Sequence, residues 1–277
     1  MNSGNREFAF QIISYLFIAV ALIFFMTPIY WVITTSIKQG TDIFTIPPKI
    51  FSFEISLKSW IEVFQNYSVL KWLKNSTIIS SGTTFLSLLL GIPAAYALSR
   101  FKIKGSNEIS LIILGIRMLP PVSLLIPFYL IMRDLNLLGS YTSVILIDTA
   151  LNLPFAIWLL KGYFDQLPVA LEEAAMVDGA SQLRSFVSVT LPLATPGIIT
   201  VVLFNIFYSW NDFIFALLLT NRATKTLPVG ILQTFSAYKI TWSSMSVISI
   251  ITFIPVVLLS LYLQNYYVSG LTSGSIK

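Results

Sequence analysis

The 277-residue chain is 56% hydrophobic and 10% charged, with a net charge of +5 and neither cysteine nor histidine. The missing cysteine excludes disulfides and thiolate metal sites, and the missing histidine removes the commonest metal ligand and the usual general base. Carboxylates are also scarce and no basic run is interleaved with aromatics, so neither a catalytic centre, a metal site nor a nucleic-acid surface is expected, while the positive balance suits loops beside anionic lipid.

Apolar runs near the ~20 residues needed to cross a bilayer recur along the whole length, which predicts an all-α integral membrane protein. The first run, 8–36, is far longer than a signal-peptide core and reads as a retained span. A polar stretch follows over 37–71, in which "SLKSWIEVF" suggests a short surface helix. Further spans are predicted at 72–98, 108–132, 142–163, 196–220 and 244–267, the third containing Pro120, Pro121 and Pro127. The expected organisation is a single membrane domain over 1–277, with six spans, both termini on one side, and a long polar loop over 164–192.

Lysine and arginine favour cytoplasmic loops. With cytoplasmic termini, the inside holds Arg6, Arg100, Lys102, Lys104, Lys161, Arg184 and Lys277. Arg117 lies within a span, and the other nine of the seventeen basic residues fall outside. Charge bias therefore does not orient the chain.

The loop stands out because Asp165, Glu172, Glu173 and Asp178, four of twelve acidic residues, crowd into fourteen positions. Pro168 suits the first helical position, and Glu172 and Glu173 complement the dipole of a helix over 169–177. Gly179 offers the left-handed conformation that ends helices, and Ser181 is a good N-cap for a second helix that Pro192 should stop. That helix would carry Leu183, Phe186, Val187 and Thr190 at helical spacing. Ala174 and Ala175 leave the first helix a low-relief face that another protein could approach. On periodicity alone, the passage could equally be an interfacial hairpin that only joins two spans.

Glu173-Ala174-Ala175, three residues, Gly179, nine residues, Val189, one residue and Leu191-Pro192 resemble the signature loop of ABC-importer permeases, with Val189 in place of the usual isoleucine. "EEAAMVDGAS", "NSTIIS" (75–80), "AAYALSRF" (94–101), "RMLPPVSLLIPFYL" (117–130), "WNDFIFALLL" (210–219) and "GLTSGSIK" (270–277) are similar to the smaller, six-span, maltose-type subunit of the carbohydrate-uptake branch.

The resemblance implies a six-helix permease in the cell membrane with cytoplasmic termini. Its coupling helix would meet a cytoplasmic ATPase through Glu172, Glu173, Ala174, Ala175, Asp178, Gly179, Ala180, Leu191 and Pro192, with Glu173 pairing a basic residue of that ATPase. It further implies a second homologous permease chain, two ATPase copies that hold ATP and magnesium, and an extracellular or periplasmic binding protein that delivers a sugar or oligosaccharide. The 270–277 tail would reach the ATPases or simply fray. The chain has no G-x-x-x-x-G-K-[ST] phosphate loop, so nucleotide chemistry would belong to the partners, and this chain would bind no cofactor. Rival readings are a permease for a polyol derivative such as glycerol phosphate, an ion-gradient-driven transporter or channel, and a non-transporting scaffold.

Polar groups within spans default to functional suspects. Asn205, Tyr208, Ser209 and Asp212 share one helical face and, with Trp210, could line a sugar pathway, pack on a partner permease or cap buried polar groups. Arg117 needs a counter-charge in the membrane; Asp148 is the first candidate for a structural or gating ion pair, and Asp212 the second. Gly91 and Ala95 form a small-xxx-small pair suited to close helix packing.

Overall fold

The computed structural model describes residues 3–101, 103–235 and 241–272, with residues 3–9 and 265–272 described by backbone alone. Thirteen α-helices run in chain order among the described residues: α1 Ser3–Ile37, α2 Lys58–Asn66, α3 Val69–Arg100, α4 Ser106–Ile116, α5 Leu125–Asp134, α6 Tyr141–Gln166, α7 Val169–Val177, α8 Gln182–Ser185, α9 Leu191–Leu193, α10 Thr195–Trp210, α11 Ile214–Leu219, α12 Leu227–Gly230 and α13 Trp242–Thr272. An isolated antiparallel bridge joins Lys38 and Ile55. The tail over 273–277 lies outside the described residues, so the reading of that segment as an ATPase contact is not addressed by the structure.

Two compact units make up the chain, Met1–Val69 with Ile231–Phe253, and Leu70–Gly230 with Ile254–Lys277. In the first, the apolar side chains of α1 from Phe10 to Met26 are largely exposed, as lipid-facing groups are. The predicted surface helix forms as α2. Between α1 and α2 the chain is held by Tyr30, which donates to the Ile50 carbonyl at 2.7 Å, and by a Lys49–Asp42 ion pair.

The second unit packs α3 and α10 around α6. Ala95, Tyr96, Ala156, Leu160, Phe164 and Val201 form one buried cluster, and Gly91 of α3 faces Leu153 and Ala156 of α6 with room for a Cβ. At Gly197 of α10 an added Cβ would fall 2.6 and 2.9 Å from ring carbons of Tyr163 on α6, so only glycine permits that approach. Near the start of α3, Asn75 donates to the carbonyls of Ala223 and Lys225 and accepts from Tyr141, while the Ser76 hydroxyl accepts from the Leu227 amide. The "NSTIIS" stretch thus pins the segment between α11 and α12.

Two predicted spans are not continuous. The third breaks at Pro120-Pro121 into α4 and α5, bent by 82°, because the residue before a proline is driven out of the helical region: Pro120 itself is extended at φ −60°, ψ 124°. The fifth ends at Trp210 and resumes at Ile214, with Asp212 accepting from the amides of Phe215 and Ala216 at the start of α11. Among the described residues, four helices are long and apolar enough to cross a membrane, and up to six spans result if two bent pairs, Ser106–Ile116 with Pro121–Asp134 and Gln182–Leu193 with Thr195–Trp210, each count as one.

Candidate functional site

The 164–192 loop forms largely by local rules. Helix α7 covers Val169–Val177. It ends in a Schellman motif: the Ala180 amide donates to the Ala175 carbonyl and the Gly179 amide to that of Met176, both at 3.0 Å. Gly179 sits at φ +90°, where a side chain would be strained. Ser181 caps α8, its hydroxyl accepting from the Arg184 amide at 3.3 Å. Pro192 does not stop this helix. A π-turn over Phe186–Thr190 carries the chain into α9, with Pro192 in its first turn, and the 71° bend comes after Leu193. The π-turn also splits the predicted apolar face: Phe186 and Thr190 turn inward, whereas Leu183 (72% exposed) and Val187 stay out.

The two adjacent glutamates part company. Glu173 is exposed, together with Ala174, Met176, Val177 (87% exposed), Asp178 and Gly179; Ala175, Ala180 and Leu191 are half-buried and Pro192 is exposed. Glu172 faces inward. Its carboxylate accepts from Arg100 Nε at 2.6 Å and from the Tyr96 hydroxyl at 2.7 Å, with the Arg100 and Glu172 side chains only 7% and 8% exposed. Glu172, expected among the docking residues, instead faces inward in this chain, with its carboxylate engaged by Arg100 and Tyr96.

Arg100 also donates from Nη2 to the Leu167 carbonyl, and the Ser185 hydroxyl donates to the Glu172 carbonyl oxygen. Tyr96 packs on Phe186 at 4.3 Å and edge-on to Phe164 at 5.9 Å between centroids. Burial pushes the Glu172 carboxyl up, but hydrogen bonds from Arg100 and Tyr96 outweigh it and hold the group below the ordinary carboxylate range. Sequence reasoning missed the role of Tyr96 and Arg100. Their i, i+4 spacing at the polar end of a span puts both on one face, which is the signal that points to them.

The second candidate is a cleft of about 810 Å³ lined by Arg117, Asp148, Asn152, Tyr208, Asn211 and Asp212 among aromatic side chains. Arg117 and Asp148 share it, but no ion pair joins Arg117 to Asp148 or to Asp212. The guanidinium instead lies over the rings of Tyr208 and Phe155, 4.0 and 4.7 Å from their centroids. Two ring faces supply the negative potential expected from a carboxylate. Asp148 accepts from the Ser209 hydroxyl at 2.5 Å, and Ser209 lies 3.3 Å from Thr83 Oγ1 on α3.

The predicted polar stripe on α10 divides accordingly. Tyr208 and Asp212 line the cleft, Ser209 is buried behind it against Asp148, and Asn205 and Trp210 are buried away from it. No group of three or more acidic residues capable of holding a metal occurs among the described residues.

Comparison with known proteins fits this architecture. Residues 87–273 match the model of the family described as binding-protein-dependent transport system inner membrane component. The chain is 34% identical to the trehalose/maltose transport system permease protein MalG of Thermococcus litoralis, covering 90% of this chain and 91% of that one. It is 33% identical to the sulfoquinovosyl glycerol transport system permease protein SmoH of Agrobacterium fabrum, over 94% and 91%. Its fold matches a chain in the crystal structure of a bacterial ABC transporter involved in import of the acidic polysaccharide alginate, with a TM-score of 0.79, 24% identity, and 96% and 99% of the two chains covered. The chain belongs to the binding-protein-dependent transport system inner membrane components, as a multi-pass permease of the ABC-importer type.

Proposed function

We propose that this permease, with a second homologous permease chain, forms the membrane pathway for a sugar or oligosaccharide delivered by an external binding protein. Two cytoplasmic ATPase copies, holding ATP and magnesium, drive it. The named relatives support the substrate class, since by name they carry trehalose, maltose and a sulfoquinovosyl glycerol. The observation that carries the coupling assignment is the outer surface of the 164–192 loop. Glu173 and Val177 of α7, Asp178 at its end and Leu183 of α8 project outward, while the inner side of α7 is fastened to α3. An exposed carboxylate beside exposed apolar groups suits a cleft with a basic residue and apolar walls.

Because a loop that meets an ATPase is cytoplasmic, this reading sets both termini on the cytoplasmic side. The cleft beside Tyr208 and Asp212 is the proposed stretch of the sugar path within this chain, where aromatic faces and hydrogen-bonding groups meet a hydroxyl-rich ligand. The test is to carry Glu173→Lys and Gly179→Leu in the complex co-expressed with its partner subunits. Both variants should insert in the membrane yet lose the ATPases on purification, or hydrolyse ATP without import. Normal ATPase assembly and import by both would refute the assignment.

A further inference from the structure

Helix α3 touches every working part of the second unit. At its C-terminal end, Tyr96 and Arg100 hold Glu172 of α7. Beside Arg100, Ser99 donates to Asp165 at the end of α6, and Asp165 in turn holds Lys161 at 2.6 Å. Further along, Thr83 lies against Ser209, the hydroxyl that donates to Asp148 in the cleft. Near its N-terminal end, Asn75 and Ser76 grip the segment between α11 and α12. Its 32 residues span about 48 Å at ~1.5 Å per residue.

A buried ion pair is weak evidence for stability, since a hydrophobic pair of similar volume often serves as well, so its presence here invites a different explanation. We infer that Arg100 and Glu172 form an internal latch that makes α7 and the end of α3 one moving body, so that displacement of α7 is delivered along α3 to the cleft and to the 221–227 segment. This rests on α7 being the ATPase-docking helix. Arg100 is a positioning residue in this account: it touches no ligand, and acts by giving Glu172 a fixed bidentate frame together with Tyr96. The planar guanidinium serves because it bonds the carboxylate through Nε while Nη2 holds the Leu167 carbonyl of the α6–α7 turn, two donors set apart in one rigid fork that a compact ammonium lacks.

The chain has no native cysteine, so spin labels can be placed without background. Labels at Val169 on α7 and Phe85 on α3, both exposed and neither in the docking surface, report the separation of the two helices in the purified complex with its partner subunits. The separation is to be measured by pulsed electron resonance, nucleotide-free and vanadate-trapped. With the native latch, the distance distribution should be the same in both states. In Arg100→Gln and in Glu172→Gln it should shift or broaden on trapping, with import per ATP falling at least severalfold while the ATPases still co-purify. Arg100→Lys should recover only part of the loss, and Tyr96→Phe, which removes a single hydroxyl, should show a smaller effect in a protein that still folds. Distributions that match the native pair in all of these variants, with import per ATP intact, would overturn the latch. Failure of the docking assignment is read separately, from Glu173→Lys retaining its ATPases and full import.

Discussion

Replacing Arg100 by glutamine leaves the Glu172 carboxylate buried without its cation. Removing one partner of a buried pair costs about 3–5 kcal/mol. The hydrogen bond from Tyr96 survives and some water can reach a side chain 8% exposed, so the lower end, about 3 kcal/mol, is expected here. For a chain near this size, roughly 2–4 °C of melting temperature accompanies each kcal/mol, which gives a fall of about 6–12 °C. Glu172→Gln should cost less, about 1–2 kcal/mol, because the amide oxygen still accepts from Arg100 and the guanidinium keeps the Leu167 carbonyl. The double variant should be destabilised by less than the sum, with a coupling of about 1–2 kcal/mol. Intrinsic-fluorescence melting of the four proteins in one detergent at one protein concentration measures all three numbers. Additivity within about 0.5 kcal/mol, or a fall under about 2 °C for Arg100→Gln, would refute the reasoning from burial.

Other expectations follow from the same geometry. Gly197→Ala should cost about 1–3 kcal/mol in the same melting assay, because its new Cβ meets the base of the Tyr163 ring rather than a flexible tip. Ser209→Ala removes the hydroxyl that donates to the buried Asp148 and should destabilise by about 1–3 kcal/mol, whereas Ser209→Thr, which keeps a donor, should cost less. Since the Glu172 carboxyl is held below its ordinary range, its contribution should be full above the unfolded glutamate value of about 4.3 and fade as pH falls below it. The native protein should therefore lose melting temperature over that acid window by more than Glu172→Gln does; equal losses would contradict the pairing.

Much of the loop was legible because its signals are local. The bounds of α7, the left-handed Gly179 and the Ser181 cap each depend on a few neighbouring residues and a known backbone preference. Which of two adjacent glutamates turns inward was not legible, because that depends on where α3 lies against α7, and Arg100 is seventy-two residues away from Glu172 along the chain. The partner of Arg117 was misjudged for a similar reason. A charge count looks for a carboxylate, while the rings of Phe155 and Tyr208 come together only through the packing of α6 and α10. Pro120-Pro121 and the Asn211–Phe213 break were visible as residues, but hydropathy alone averages across them, so the segments on either side read as whole spans.

The central claim is that the outer face of α7 meets an ATPase at Glu173 while the inner face does not. A single cysteine at Glu173 or at Val177, in a chain with none of its own, can be cross-linked in native membranes to the co-expressed ATPase through its thiol. Glu173→Cys and Val177→Cys should each give an adduct with the ATPase that changes in yield between nucleotide-free and ATP-trapped states, and both should react only with reagents supplied from the cytoplasmic side. Absence of that adduct at both positions, or labelling from the outer side, would contradict the account.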